Sequence, residues 1–249
     1  MCPPRKTVAA LAVPFALALA AAALARPAAA DDDAPKGPFG TIACPAKSFS
    51  YELTEEDALW AVRMLVGESG GEGDADDAAV LWCMLNSYAI RPLRGYETFT
   101  AFIRAYCTPL QPYLKSQGAI DRHRKAKTPM VEVEPGRWQL KRHVDIQARP
   151  WAKLPARARE LVLQVFRGEK ASVCGNATQF CSTAVYFKDE HDRRPTDEEH
   201  RDYTRRYAEK KKWTWVEVEG ANPRNNVFFE EQRFQDLPRP AVAVRKPKR

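Results

Sequence analysis

The chain has little with which to bind a metal. Only 4 of its 249 residues are histidine, and no Cys-x-x-Cys or His-Glu-x-x-His spacing occurs. A zinc peptidase acting on peptides therefore lacks its ligand set. His191 and His200 flank the start of a charged segment and read as a polar, solvated pair. No internal repeat is present, which excludes solenoid and propeller architectures. Basic residues and aromatic rings are available, yet no nucleic-acid-binding module is recognisable.

What is present divides into four parts. Residues 1–30 carry Arg5 and Lys6, an apolar run over 8–24 and the small-residue end Ala28-Ala29-Ala30, which together read as a signal peptide. The expected location is therefore secreted or periplasmic, with no stable membrane anchor. Removal of this segment brings 39 basic residues against 32 acids to 36 against 32, a mature charge of about +4. Residues 31–48, rich in Pro, Asp and Gly, read as a flexible linker. Residues 49–236 suffice for one domain with a real core, expected to act as a monomer. Residues 237–249 read as a basic, disordered tail.

Export makes disulfides the default expectation for the cysteines that remain. Cys174 and Cys181 bracket a short polar loop and form the expected local pair. Cys44 with Cys107 would tie the N-terminal arm to the end of the third helix. Cys83, beside Trp82, reads as a buried small hydrophobe.

The domain is read as α+β and mainly helical, with a small β element. Thr54 caps a helix, with Asp57 three residues on and apolar Leu59, Val62 and Val66 following. That helix should stop at Gly67 or soon after. Asp74 caps the next, in which Ala78, Leu81, Trp82, Leu85 and Ala89 form an apolar stripe. Thr98 starts a third helix, Pro155 begins a fourth that ends at Gly168, and Thr196 with Glu199 caps a charged fifth. Residues 213–218 alternate as a strand, with Val227-Phe228-Phe229 as partner across Gly220-Ala221-Asn222-Pro223.

Glu68 sits between the first two helices in Val66-Gly67-Glu68-Ser69-Gly70-Gly71-Glu72-Gly73. A carboxyl half-buried against apolar walls keeps its proton near neutral pH, as a general acid must. Asp74, Asp76 and Asp77 read as cap and first-turn acids of the second helix. Glu72 is the candidate for a second catalytic carboxylate. The stretch 108–151 has no clean period and contains Gln111, Tyr113, the basic cluster Arg122-His123-Arg124-Lys125, Trp138 and Trp151. It reads either as a glycan-binding wall or as a solvated basic surface with packing aromatics.

The run Leu65-Val66-Gly67-Glu68-Ser69-Gly70-Gly71-Glu72-Gly73, with Ala78-Ala79-Val80 and Met84-Leu85-Asn86, resembles the cell-wall hydrolase family typified by spore cortex-lytic enzymes. There a helix ends in Gly-Glu-Ala-Arg-Gly-Glu, and the next carries Ala-Val-Ala and ends in Leu-Asn-Arg. Ala184-Val185-Tyr186-Phe187 and Asn225-Asn226-Val227-Phe228-Phe229 are similar as well. Ser69-Gly70 stands where the family has Ala-Arg, Ser87 where it has Arg, and Asn226 where His is common.

The resemblance implies a lysozyme-like fold and cleavage of peptidoglycan glycan strands, with Glu68 as the acid and no metal or organic cofactor. Gln111, Tyr113, Tyr186 and Phe187 are then the expected substrate-binding residues. With a second carboxylate the reaction is hydrolysis. With Glu68 alone, a substrate hydroxyl completes a lytic transglycosylation, the outcome favoured here. The alternative is a lysozyme-like module that binds peptidoglycan or protein without cutting.

Overall fold

The described residues, 37–91 and 95–247 of this computed structural model, open on a strand where a linker was expected. The expected signal segment, residues 1–30, lies outside them. Two short strands come first, β1 (Thr41–Cys44) and β2 (Phe49–Glu52), followed by the helices α1 (Glu55–Glu68), α2 (Ala75–Ile90) and α3 (Phe99–Tyr106). The stretch expected to be irregular then forms α4 (Gln117–Lys125), the hairpin β3 (Met130–Glu134) and β4 (Arg137–Leu140), and α5 (Lys141–Gln147). After α6 (Ala156–Phe166) come β5 (Gln179–Cys181), α7 (Thr183–His191), α8 (Asp197–Lys211), β6 (Trp213–Val216), β7 (Val227–Glu231) and β8 (Ala243–Arg245). The protein is α+β and mainly helical, with all its sheets small and antiparallel.

Capping chemistry explains where the main helices start. Thr54 and Asp57 form a reciprocal capping box on α1, and Thr196 and Glu199 form another on α8. The side chains of Asp74 and Thr98 accept from the third backbone N–H of α2 and α3. The apolar stripe expected on α2 is an underestimate, since every residue from 76 to 90 is buried. Helices α1, α3 and α6 and strands β1 and β5 surround it. A helix enclosed on all sides needs apolar residues on all sides.

Two expected boundaries move. Part of the linker is β1, whose edges pair with β2 (Ile42 with Tyr51) and with β8 (Ile42 with Val244). The basic tail supplies β8, and its Ala241, Val242 and Val244 enter the main core. Apolar residues at 242 and 244 alternate as a strand requires, and burial of that face outweighs the flanking Pro and Arg residues. The folded region thus extends from about residue 39 to residue 246.

Neither expected disulfide forms, and the five cysteines of the described residues are free thiols. Cys174 points at α2, with its Sγ 3.7 Å from the Ala79 carbonyl. Cys181 lies by the hydroxyls of Tyr186 and Tyr207. The loop between them is no exposed polar bridge, because Asn176 is fully buried. Its amide donates to the Pro238 carbonyl at 2.9 Å and accepts from the Ala241 N–H at 2.7 Å, which fixes the tail to the body. Cys44 lies opposite Phe49 in the first sheet, whereas Cys107 follows α3.

Asp57 does more than close a capping box. Its fully buried carboxylate accepts from the Tyr51 hydroxyl at 2.8 Å and from both the N–H and hydroxyl of Thr100 at 2.8 Å. One side chain therefore joins β2, α1 and α3. Replacing it by alanine strands several buried donors, each costing about 1–3 kcal/mol. Asp57→Ala should lower unfolding stability by at least about 3 kcal/mol, measured by urea denaturation, and a loss below 1 kcal/mol would contradict this role.

Candidate functional site

Glu68 is the last residue of α1, and the N–H groups of Ser69 and Gly70 both return to the Leu65 carbonyl at 3.0 Å. The turn that follows is held from α2. The Asp77 carboxylate accepts from the Ser69 hydroxyl and from the Gly73 N–H. Gly73 has φ of 71°, and a Cβ there would lie 2.7 Å from the backbone of Arg157. Gly67 is needed for another reason: a Cβ would meet Pro109 at 2.4 Å, where α1 abuts the turn after α3. The glycine-rich stretch is therefore tightly packed, and it holds Glu68 at a fixed helix end.

A cavity of about 530 Å³ opens in front of Glu68. Ser87 of α2, Arg91 just after it, and Tyr106 and Cys107 at the end of α3 line one side. The other side is made by β5, by Ser182, Val185 and Tyr186 at the start of α7, and by Asn225 and Asn226. That opposite wall is also fixed from α2, because buried Asp76 accepts from the Asn222 N–H at 3.1 Å and the Asn225 amide at 3.0 Å. Asn86 adds a third tie, donating to the Gly175 and Ala177 carbonyls at 2.8 and 3.0 Å.

Burial pushes the Glu68 carboxyl up to about 7, against a smaller downward pull from the Arg142 guanidinium. No protein group hydrogen-bonds that carboxyl among the described residues. Loss of hydration thus outweighs the nearby charge, and the carboxyl keeps its proton well above the ordinary glutamate range. Among the described residues Glu68 is the only acid that lines the cavity. Arg91 brings a cation into it, held 3.3 Å from Glu231 and 3.4 Å from the Ser87 hydroxyl.

The other expected site residues divide. Tyr186, 38% exposed, lines the cavity, but Phe187 does not. Phe187 is buried at the back of α7 against His191 and Tyr203. Glu72 is exposed beyond the turn and absent from the lining. Gln111 is used inside the fold, donating to the Ala105 carbonyl at 3.0 Å and accepting through its own carbonyl from Gln139 and Gln147. The Arg137 guanidinium covers Tyr113 at 4.4 Å. The segment 108–151 instead builds a small core of its own around Leu114, Ile120 and Leu140, and Trp151 is buried. It reaches the Glu68 site through Thr108, which lines the cavity, through Pro109 against Gly67, and through the charge of Arg142 on α5.

Asp76, Asp77, Arg91 and Arg142 were not singled out as site residues by sequence. The signal for the first two was present, since three acids in four residues exceed what one N-cap can use. No protein-family model matches the chain, and neither the curated proteins nor the solved structures contain a match to it.

The raised Glu68 carboxyl has a consequence for folding. The folded state holds this proton more tightly than the unfolded chain, so its stabilising effect is complete below about pH 4.5 and is lost as pH rises through about 7. Glu68→Gln should therefore gain stability over the wild type across that window, by at most about 3 kcal/mol at pH 8. Thermal unfolding at pH 4, 6 and 8 measures it, and a difference that does not change with pH would contradict a half-buried, proton-holding Glu68.

Proposed function

We propose that this chain is an exported, lysozyme-like enzyme that cleaves peptidoglycan glycan strands by lytic transglycosylation, with Glu68 as its acid. The observation that carries the reading is a desolvated carboxyl, raised to about 7, as the only acid lining a 530 Å³ cavity among the described residues. The resemblance to spore cortex-lytic enzymes around Glu68 supplies the substrate class. A helical body in which an acid at a helix end faces a small antiparallel sheet supports the lysozyme-like fold.

Protonated Glu68 donates its proton to the glycosidic oxygen as the bond to the anomeric carbon breaks and positive charge spreads over the sugar ring. The alcohol leaves. The muramic residue's own hydroxymethyl oxygen then closes on the anomeric carbon, and the Glu68 carboxylate takes back its proton. The product ends in an anhydro ring, and one carboxyl serves both halves of the reaction. A hydrolase would need a second carboxylate beside water or the sugar, and Glu72 is turned away from that position.

Arg91 bears on substrate choice. Where the family has Arg, this chain has Ser87, and Arg91 one helical turn later places a guanidinium over that serine. Muramic acid carries a lactyl carboxylate or an acidic peptide stem, for which this cation is a suitable partner.

Mass spectrometry of purified peptidoglycan after incubation with the mature chain tests the proposal. Soluble muropeptides with anhydro-muramic ends are expected, and Glu68→Gln should reduce their release by at least about 100-fold. Reducing ends would point to hydrolysis, and retained binding without release would favour a non-catalytic module. The rate should fall as pH rises above about 7. Arg142→Gln removes a charge that lowers the Glu68 carboxyl, so it should move that decline to higher pH. A decline that stays in place would remove Arg142 from the account.

A further inference from the structure

Helix α2 carries Cys83 near its middle, and the loop before β5 brings a second thiol onto it. The Cys174 Sγ lies 3.7 Å from the Ala79 carbonyl and 3.9 Å from the Asn86 side-chain nitrogen. Residues 79, 83 and 86 share one face of an α-helix, with Cys83 between the other two. The Cys174 sulfur therefore rests on the stretch of α2 from which the Cys83 side chain projects. Both residues are fully buried. Burial pushes the Cys83 thiol well up, and Cys174 is the next contributor, ahead of Cys107 and Cys181. Among the described residues no three Cys, His, Asp or Glu side chains come together as metal ligands, so the chemistry open to these sulfurs is pairwise.

Resting on the export in the reading above, we infer that Cys83 and Cys174 are an oxidation site, joined in the exported protein as a disulfide between α2 and the loop that leads into β5. The structure holds both sulfurs as thiols. Burial raises both, Cys174 to about 12, so the folded state offers little thiolate for exchange. The bond therefore forms while the chain folds, with glutathione disulfide, or a protein disulfide of the same chemistry, as the oxidant. The Cys83 thiolate attacks one sulfur of the oxidant and releases its first thiolate. The Cys174 thiolate then attacks the Cys83 sulfur of the mixed disulfide and releases the second. Two electrons pass from the protein to the oxidant, and the two cysteine protons end on the departing thiols. The link closes a loop of about 90 residues and adds a covalent tie where Asn86 already donates to the Gly175 and Ala177 carbonyls. It fastens α2 to the wall that β5 forms in front of Glu68.

The test is refolding of the full mature chain in a glutathione redox buffer, alkylation of the thiols that remain, and mass spectrometry of the non-reduced digest. A peptide pair joined through Cys83 and Cys174 is expected, with the other three of the five cysteines alkylated. Five alkylated cysteines, or a link from Cys83 to Cys107 or Cys181 instead, would overturn the assignment. Reductant should lower the thermal midpoint of the linked protein by about 10 °C. Because both cysteines also fill core space, each variant is compared with itself. With Cys174→Ala the midpoint should be the same with and without reductant, whereas Cys44→Ala should keep the shift. A shift that survives Cys174→Ala would overturn the pair. Cleavage of sacculi by a chain with five free thiols removes the disulfide alone, and a linked pair without cleavage keeps the disulfide and removes the enzymatic reading. Protein found only in the cytosol removes the export on which the link depends.

Discussion

The cleft depends on how the first turn of α2 spends three acids. Asp74 caps the helix, Asp76 reaches forward to the 222–225 loop, and Asp77 reaches back to the turn after Glu68. One helix start therefore sets both walls of the cavity and their separation. Asp76 and Asp77 are buried, and burial raises both carboxyls above their usual range, opposed by the hydrogen bonds they accept. Desolvating two acids side by side is unfavourable, and the arrangement holds because backbone and side-chain donors compensate for lost water. At the other end of α1, Asp57 plays a comparable part, so the helix that carries Glu68 is fixed at both ends.

Glu68 follows the opposite rule. Its neighbours supply hydrogen bonds to Asp57, Asp76 and Asp77 but none to Glu68 among the described residues. Among the described residues the opposing influence is the charge of exposed Arg142. Acids that accept hydrogen bonds serve as fixed ties, whereas an acid with none is left to exchange its proton. The same contrast applies to the amides, where Asn86, Asn176 and Asn225 tie loops together and Asn226, whose side chain has no hydrogen-bond partner among the described residues, lines the cavity.

Local chemistry was legible in the sequence wherever it acts within a few residues. The caps at Thr54, Asp74, Thr98 and Thr196 and the pairing of β6 with β7 follow from short-range pattern. What could not be read were partners brought from far along the chain. Strand β1 pairs on one edge with nearby β2, but its other edge is covered by residues 243–245, which return across some 200 residues. The hairpin β3–β4 hides in a stretch where charged residues stand among its apolar positions, of which Met130, Trp138 and Leu140 pack inward. The disulfide expectation failed because loop spacing says nothing about direction, and Cys174 and Cys181 face different helices. Glu68 itself was legible, being local to its turn. The wall opposite it is built from residues more than a hundred positions further on, 178–186 with Asn225 and Asn226, which no local pattern connects to Glu68.

The central claim is that a turn locked by Asp77 holds Glu68 in a dehydrated position where it keeps its proton near neutrality. Carbon-13 NMR of the Glu68 side-chain carboxyl across a pH titration measures this directly, with Glu68→Gln used for assignment. The account expects a midpoint near 7 in the wild type, falling toward the ordinary glutamate value of about 4.3 when Asp77→Ala releases the turn. A midpoint near 4.3 in the wild type would contradict it, since Glu68 would then be a hydrated carboxylate without a proton to give.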